Sequence, residues 1–447
     1  MPSNHVKSFS RGIHLKEYKD ETSHLPIQRF PFAPLLILPL KQNIGRASIP
    51  VVRQGQEVTR GQLIAEPDGD FSVALHAPES GAIKKIDLVP SITGNMEPGI
   101  YLQSYPGSTQ EVLDGTPCDW QTATPEQIVK AIQDAGIVGL GGAAFPTHAK
   151  LIPPKDQPVD TLIINGAECE PYLTTDHRVM LEQTADIMHG IRYLLKATGA
   201  TKTIIGVESN KPDAFTALRD AAAKEHDVSV EEVTTKYPQG AAKMLIKALT
   251  GREVPSGEHT YAVGVVLCNV ATTAEIGRLL PRGRGIQERV ITVGGPAIKE
   301  KGNYRIPIGT PLRFLLETVG VDDSLSRVFL GGPMMGFATP NLDISITKGV
   351  SGVIAFTERE IPKTTKVYHC IHCGYCVDVC PIGLNPSKLV LLAIAEQYEE
   401  MSQRYHLKEC FECGACSFVC PSHIPLVQHF RTAKSILKKP KVTTSAA

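Results

Sequence analysis

The chain has 447 residues, 42% of them apolar, which is material for about three separately cored domains. Lys plus Arg equals Asp plus Glu at 46 each, so no net field recruits nucleic acid. No apolar run approaches the roughly 20 residues that cross a bilayer; the best, Phe30 to Leu40, is broken by Pro31, Pro34 and Pro39, and Met1 to Lys19 carries neither a signal-peptide core nor a twin-arginine motif, which predicts a cytoplasmic chain whose membrane contacts are peripheral or made through partners.

From Leu35 to about Leu102 the chain reads as short strands and turns: LLILPL, SIPVV, LIAEP, FSVALHAP and GAIKKID. The punctuation Gly55 to Ala65, then His76-Ala77-Pro78-Glu79-Ser80-Gly81, resembles a biotinyl/lipoyl-type barrel-sandwich fold. Such carriers present a modifiable lysine at a hairpin tip, where this chain has Asp68-Gly69-Asp70. A docking or packing module is therefore expected here, and not a swinging arm.

Around Gln121 helices and strands begin to alternate, which predicts a layered α/β domain. Thr124 can cap a helix that starts at Pro125, runs through Ala135 and stops at Gly136. Next comes Gly139-Leu-Gly-Gly-Ala-Ala-Phe145-Pro-Thr-His-Ala-Lys150, where small residues let backbone N–H groups crowd an anion and Lys150 adds a full charge. Alone, the loop fits a plain turn as well, and it is not the dinucleotide fingerprint, since it follows a helix and lacks the G-x-G-x-x-G spacing. A strand Thr161 to Asn165 opens into the acidic loop Asn165-Gly-Ala-Glu-Cys-Glu170-Pro. Helices at Thr184–Ala197, Asp213–Glu225 and Ala241–Leu249 alternate with strands at Thr203–Val207 and Val228–Thr235. Finally Val263 to Thr273 reads as a buried strand whose polar end can cap a helix, a second polar strand end for one crevice.

From Glu288 to Gly336 the elements are a strand ERVITVGG, a helix after Thr310-Pro311 with the stripe Leu312, Leu315, Leu316 and Val319, and a strand RVFLGGPMMG whose Met334 and Met335 read as core filler. Then Cys370, Cys373, Cys376 and Cys380 form C-x2-C-x2-C-x3-C before Pro381, and Cys410, Cys413, Cys416 and Cys420 repeat it before Pro421. This spacing is the bacterial ferredoxin signature, in which the fourth cysteine of each run ligates the other cluster. It predicts one [4Fe-4S] cluster on Cys370, Cys373, Cys376 and Cys420 and another on Cys410, Cys413, Cys416 and Cys380. Gly374, Gly383 and Gly414 permit close backbone approach to sulfur. Zinc prefers well-separated C-x2-C halves, and disulfide frameworks belong to small secreted chains. His369 and His372 flank the first run, where hydrogen bonding to sulfur and plain exposure are both open. Leu389 to Met401 reads as one helix covering the clusters, and Lys434, Lys438, Lys439 and Lys441 as a solvated basic tail, with contact to anionic lipid as the sharper alternative. Cys118, Cys169 and Cys268 lack ligand spacing and default to buried thiols.

Reduced nicotinamide gives two electrons and each cluster takes one, so a flavin that accepts a pair and releases singles is the expected converter. At this point a resemblance becomes specific. GLGGAAFPTHAK, NGAECEP, Tyr237-Pro-Gln-Gly240, Cys268-Asn-Val-Ala-Thr272 and the twin cysteine runs, in order over nearly the whole chain, resemble the RnfC/RsxC family of the Rnf ion-translocating electron-transport complex, and the middle section is similar to the FMN- and NADH-binding subunit of respiratory complex I. The resemblance implies a multidomain α/β chain: a barrel-sandwich domain (1–120), an α/β FMN/NADH domain (121–286), a small β-grasp, SLBB-like module (287–357), a helical ferredoxin-type domain for two [4Fe-4S] clusters (358–433) and the basic tail (434–447). It implies that Gly139, Gly141, Gly142, Lys150, Asn165, Asn269 and Thr272 line FMN and that Phe145 and Glu170 face NADH. Leu140, Ala144, Leu151, Ala167 and Ala241-Ala242 depart from the complex I pattern, and the phosphate cradle survives these changes better than the adenosine contacts do. The implied function is electron input: NADH, FMN and two clusters, handing electrons to integral-membrane and ferredoxin-like partners that couple the transfer to Na+ or H+ movement, with the protein peripheral on the cytoplasmic face of the inner membrane. A soluble flavin and iron-sulfur reductase of the cobalamin-reductase type and a non-redox scaffold are the rivals.

Overall fold

The computed structural model describes residues 6–92, 94–361 and 366–438. An N-terminal arm crosses the molecule first. Lys7 bridges Val233, Ile13 bridges Tyr237 and the Gly12 N–H donates to the Val379 carbonyl, after which β1 (Ile27–Arg29) pairs in parallel with a strand nearly three hundred residues later. Barrel strands follow: β2 (Leu35–Pro39), β3 (Ile49–Pro50), β4 (Glu57–Val58), β5 (Leu63–Glu66), β6 (Leu75–His76), β7 (Gly81–Pro90) and β8 (Met96–Ser104). They form two antiparallel sheets, β2-β8-β7-β4 and β3-β5-β6, with Leu36, Leu38, Ile64, Ile83, Ile100 and Leu102 fully buried in one cluster. The Asp68-Gly69-Asp70 tip lies in the β5–β6 connection, where Gly69 takes φ +77.

In the α/β region, α1 (Pro125–Asp134) opens on a full capping box: the Gln127 N–H donates to Thr124 Oγ1 while the Thr124 N–H donates to Gln127 Oε1. Ile128 and Ile132, four apart, face the core shared with the barrel. Then come β9 (Thr161–Gly166), α2 (Thr175–Glu182), α3 (Thr184–Thr198), β10 (Lys202–Glu208), α4 (Pro212–Ala222), β11 (Val228–Val233), α5 (Ala242–Thr250), β12 (Val265–Asn269) and α6 (Val270–Leu279). The sheet is all parallel in the order β11-β10-β9-β12, so the strand order reverses between β9 and β12. Open α/β sheets bind ligands at such a switch point, outside the strands' carboxyl ends. Close approach of α3 and α6 rests on Gly190 and Gly277, where a Cβ would strike the carbonyls of Thr273 and Asp186.

The third region contributes β13 (Glu288–Gly294), β14 (Gly302–Pro307), α7 (Leu312–Val319), β15 (Leu325–Leu330), β16 (Phe337–Thr339) and β17 (Gly352–Thr357), in a mixed sheet β1-β14-β13-β17-β15-β16. The stripe Leu312, Leu315, Leu316 and Val319 is buried against Ile291, Val293 and Val353. The last region is helical: α8 (Tyr375–Asp378), α9 (Pro386–Ile394), α10 (Tyr398–Gln403), α11 (Ala415–Phe418) and α12 (Leu426–Lys438).

Three expectations need correction. Met334 and Met335 are not core filler: they lie in the turn between β15 and β16, and Met335 is 40% exposed. Leu389 to Met401 is not one helix: α9 ends in a left-handed residue, Glu396 at φ +55, with the Gln397 N–H donating to the Leu392 carbonyl at 2.9 Å. This six-to-one closure turns α10 back so that Leu389, Val390, Leu392, Ala393 and Met401 share one core. Lys434 and Lys438 lie in α12, and Lys434 is no solvated tail residue, since its ammonium donates to the Cys410 carbonyl and to Glu412 Oε1. Lys439 and Lys441 lie outside the described residues.

Candidate functional site

At the switch point the ends of β9 and β12 lie side by side, with Asn165 and Asn269 as register partners. Asn269 caps α6, its Oδ1 accepting the Thr272 N–H at 3.2 Å. Thr272 Oγ1 in turn accepts the Leu140 N–H at 2.8 Å, which fastens the glycine loop to the start of α6. The loop closes on itself, the Gly139 N–H donating to the Phe145 carbonyl at 2.8 Å and the Ala144 N–H to the Gly139 carbonyl at 3.1 Å. Gly141 lies flat on Asn269, where a Cβ would come within 3.3 Å of Nδ2, and Gly142 at φ +102 has open space around it. Lys150 Nζ stands 5.7 Å from the Phe145 ring centre, a cation–π arrangement. Gly139, Gly141, Gly142, Phe145, Lys150, Asn269 and Thr272 thus gather around one loop, with Asn165 beside them donating to the Gly240 carbonyl at 2.8 Å. The result is an exposed backbone turn facing a helix N-terminus with an ammonium at its edge, a cradle for a phosphate.

Glu170 sits elsewhere. Its carboxylate accepts the N–H groups of Met334 (3.0 Å) and Met335 (2.8 Å), in the turn between β15 and β16. Burial pushes this carboxyl up to about 7, against the two N–H bonds that favour its charged form. Two further residues touch the cradle and were not anticipated. Asp176, at the start of α2, accepts from Asn269 Nδ2 at 2.7 Å, and burial together with Glu168 raises its carboxyl. Arg289, buried on β13, donates to the carbonyls of Leu140 and Val350 and so holds the loop from behind. The run Thr174-Thr175-Asp176 carries a helix-start signal that could have led to the first; nothing in the ERVITV alternation marks the second.

The two cysteine runs fold alike. Gly374 (φ +83) and Gly414 (φ +84) each cap a four-residue helix, with the last cysteine of each run just beyond it. Cys376 has Cys373, Cys420 and Cys370 as interacting thiols, while Cys413 and Cys416 have Cys410 and Cys380. A cavity lies among Cys380, Cys410, Cys413 and Cys416, so four soft thiol donors surround one space, a donor set that fits a [4Fe-4S] cube. The environments differ. Cys376, Cys380 and Cys416 are buried, while Cys373, Ile371 and Tyr375 are exposed, as are His369 and His372. The second run faces both the α/β domain and the third region: the Tyr237 hydroxyl donates to the Cys413 carbonyl, and a Cβ on Gly414 would stand 3.1 Å from the Met334 carbonyl. Of the other thiols, Cys268 is buried, while Cys118 and Cys169 are partly so.

Three family profiles match: the RnfC barrel sandwich hybrid domain over residues 7–104, the Nuo51 FMN-binding domain over 132–278 and a 4Fe-4S dicluster domain over 366–425. The RnfC-type protein of the proton-translocating ferredoxin:NAD(+) oxidoreductase complex of Clostridium ljungdahlii is 42% identical over 433 residues, 96% of this chain and 94% of that protein. The chain belongs to the RnfC family of ion-translocating oxidoreductase complexes. Another RnfC-type relative, from the ion-translocating oxidoreductase complex of Haemophilus influenzae strain PittEE, is 43% identical over 97% of this chain, which spans 66% of that relative's length and 53% of the strain Rd protein. Among solved structures, NAD+-reducing [NiFe]-hydrogenase in the H2-reduced state aligns with a TM-score of 0.49 and 20% identity, over 73% of this chain and 65% of that one. As an RnfC family member the chain carries an FMN-binding domain and a domain for two 4Fe-4S clusters, with FMN and [4Fe-4S] as its cofactors. Among the described residues no helix is long and apolar enough to cross a membrane.

Proposed function

We propose that the chain is the electron-input subunit of a membrane-bound, ion-translocating NADH/ferredoxin oxidoreductase, moving electrons between NADH, FMN and two [4Fe-4S] clusters and on to integral-membrane and ferredoxin-like partners. The relatives' names, ion-translocating oxidoreductase and proton-translocating ferredoxin:NAD(+) oxidoreductase, support this assignment. One observation carries it: the 237–240 turn joins the flavin cradle to the cysteine fold, the Gly240 carbonyl accepting from Asn165 and the Tyr237 hydroxyl donating to the Cys413 carbonyl. FMN, when bound, supplies the conversion between hydride and single-electron transfer. Lys150 and the N–H groups of Gly141 and Gly142 would hold its phosphate, and Asn165, Asn269 and Thr272 would line the same site. Cys370, Cys373, Cys376 and Cys420 hold one cube, and Cys410, Cys413, Cys416 and Cys380 the other. Phe145 faces the nicotinamide nucleotide; Glu170, which the resemblance assigns to the same nucleotide, stands apart from the cradle with its carboxylate bound by the 334–335 turn. Residues 287–357 are the SLBB-like module, bracing the cradle through Arg289, and the protein lies on the cytoplasmic face of the inner membrane.

Gentle detergent extraction tests the assignment against the soluble reductase. The expected outcome is co-purification of the chain with integral-membrane subunits and NADH-driven, ion-dependent electron transfer by the assembly. Recovery as a free, fully active reductase in the soluble fraction contradicts it.

A further inference from the structure

The tip of the N-terminal barrel is built into the mouth of the flavin cradle. The Ile44 N–H donates to the Ala144 carbonyl at 3.0 Å, and the His148 ring to the Asp70 carbonyl at 2.8 Å. Both contacts land on the glycine loop or the turn that follows it. Between them Phe71 sets its ring edge-on to Phe145, with centroids 6.1 Å apart and planes at 74°. Yet Phe71 is 52% exposed and Ile44 55% exposed, so the contact buries little of either.

The exposure is held in place. Asn43, 6% exposed, donates through Nδ2 to the carbonyls of Ile44 (3.1 Å) and Phe71 (3.0 Å), and the Arg46 N–H donates to the Phe71 carbonyl at 2.9 Å. Gly45 takes φ +126, and a Cβ there would run into the Phe71 carbonyl. A side chain exposed only because its loop is loose would not need such bonding. A half-open phenyl ring set edge-on to a second phenyl ring at the mouth of the cradle is suited to a planar heterocycle, because the aromatic face is already organised.

We propose that Phe71 is a specificity-determining residue of the nicotinamide-dinucleotide site, forming with Phe145 an aromatic wall on which one heterocycle of the dinucleotide packs. The barrel is thereby part of the substrate site. This inference rests on the assignment of the cradle as an FMN and NADH site.

Anaerobic rapid mixing of the full FMN-loaded chain with NADH tests it, using wild type, Phe71→Ala, Phe71→Leu, Phe71→Tyr and, as a control at an equally exposed apolar position of the barrel, Leu88→Ala. ADP-ribose and nicotinamide mononucleotide serve as competitors. Loss of one stacking contact raises the Kd for NADH about tenfold in Phe71→Ala and Phe71→Leu; Phe71→Tyr restores it to within about twofold and Leu88→Ala leaves it unmoved. FMN and iron per chain hold in all variants, and Phe71→Leu keeps the bulk at the tip should Phe71→Ala fail to fold. Weakened competition by ADP-ribose in the variants assigns the adenine ring to Phe71, and weakened competition by the mononucleotide assigns the nicotinamide ring. Equal NADH affinity in wild type and Phe71→Leu overturns the proposal while leaving the site assignment intact. A wild-type flavin that NADH does not reduce, with no binding of either competitor, overturns the site assignment and the proposal with it.

Discussion

Lys150 is the only lysine between residues 139 and 150, and its ammonium stands beside a turn of exposed backbone N–H groups. Removing it leaves those amides to hold a dianionic phosphate alone, so Lys150→Ala weakens FMN binding about tenfold to a hundredfold, the value of one charge-assisted contact. Iron content stays near that of the wild type; flavin occupancy unchanged in a reconstitution titration would remove Lys150 from the cradle. Glu170 has a different signature. Because burial raises its carboxyl to about 7 from the usual 4.5, the folded chain holds that proton more tightly than the unfolded one. The stabilisation is full below about 4.5 and is lost as pH rises through about 7. Glu170→Gln lacks this component, so denaturation at pH 5 and pH 8 is expected to show wild type losing on the order of 2 kcal/mol more than the variant across that range. Parallel pH profiles would contradict the burial argument. That Asn165 and Asn269 end neighbouring strands was legible because polar residues close otherwise apolar runs, a local pattern. Asp176, Arg289 and Phe71 were not, since each matters through a partner far away in sequence: Asn269 for the first, Leu140 for the second and Phe145 for the third.

The twin cysteine turns show how an element's surroundings decide the cost of one change. Gly374 and Gly414 have nearly the same left-handed φ, so alanine at either costs about 1 kcal/mol of backbone strain. At Gly374 no atom of the described residues lies within 4 Å of a new Cβ, whereas at Gly414 it would press on the Met334 carbonyl at 3.1 Å. Gly414→Ala is therefore expected to lose more iron and melt lower than Gly374→Ala, with anaerobic iron assay and thermal melting as the measurements. Equal losses would mean that the turn between β15 and β16 does not press on the second run. Element boundaries were readable where capping chemistry is explicit, as at Thr124, Gln127 and Gly136 around α1. The break between α9 and α10 has no proline or glycine to announce it; Glu396 adopts the left-handed turn because the closing bond and the shared core outweigh its strain. Helix α2 went unseen because Thr174 and Thr175, at its start, suit a turn as well as a helix start, and the Thr174 side chain makes no capping bond.

Across the whole molecule, long connections tie the cofactor sites to one another. The arm touches Tyr237 and Val379 before adding β1 to the third sheet, and Lys348 donates to the carbonyls of Ala74 and Gly136, fastening the third region to both the barrel and α1. Domain order could be followed from composition and motifs, but these ties could not, because they join segments with no shared pattern. The cysteine folds are interlocked in the same way. With Cys420 beside Cys376, Cys420→Ala is expected to remove the cluster of the first run and leave that of the second, taking about half of the iron; a loss confined to the Cys410 group would refute the crossing. Anaerobic reduction of the purified chain by NADH, followed by absorbance with FMN and iron quantified in the same sample, bears most directly on the claim that one polypeptide joins a pair-accepting site to two single-electron sites. One FMN and about eight irons per chain, bleaching together on NADH addition, is the predicted result; a full complement of iron with no flavin, unresponsive to NADH, would contradict it.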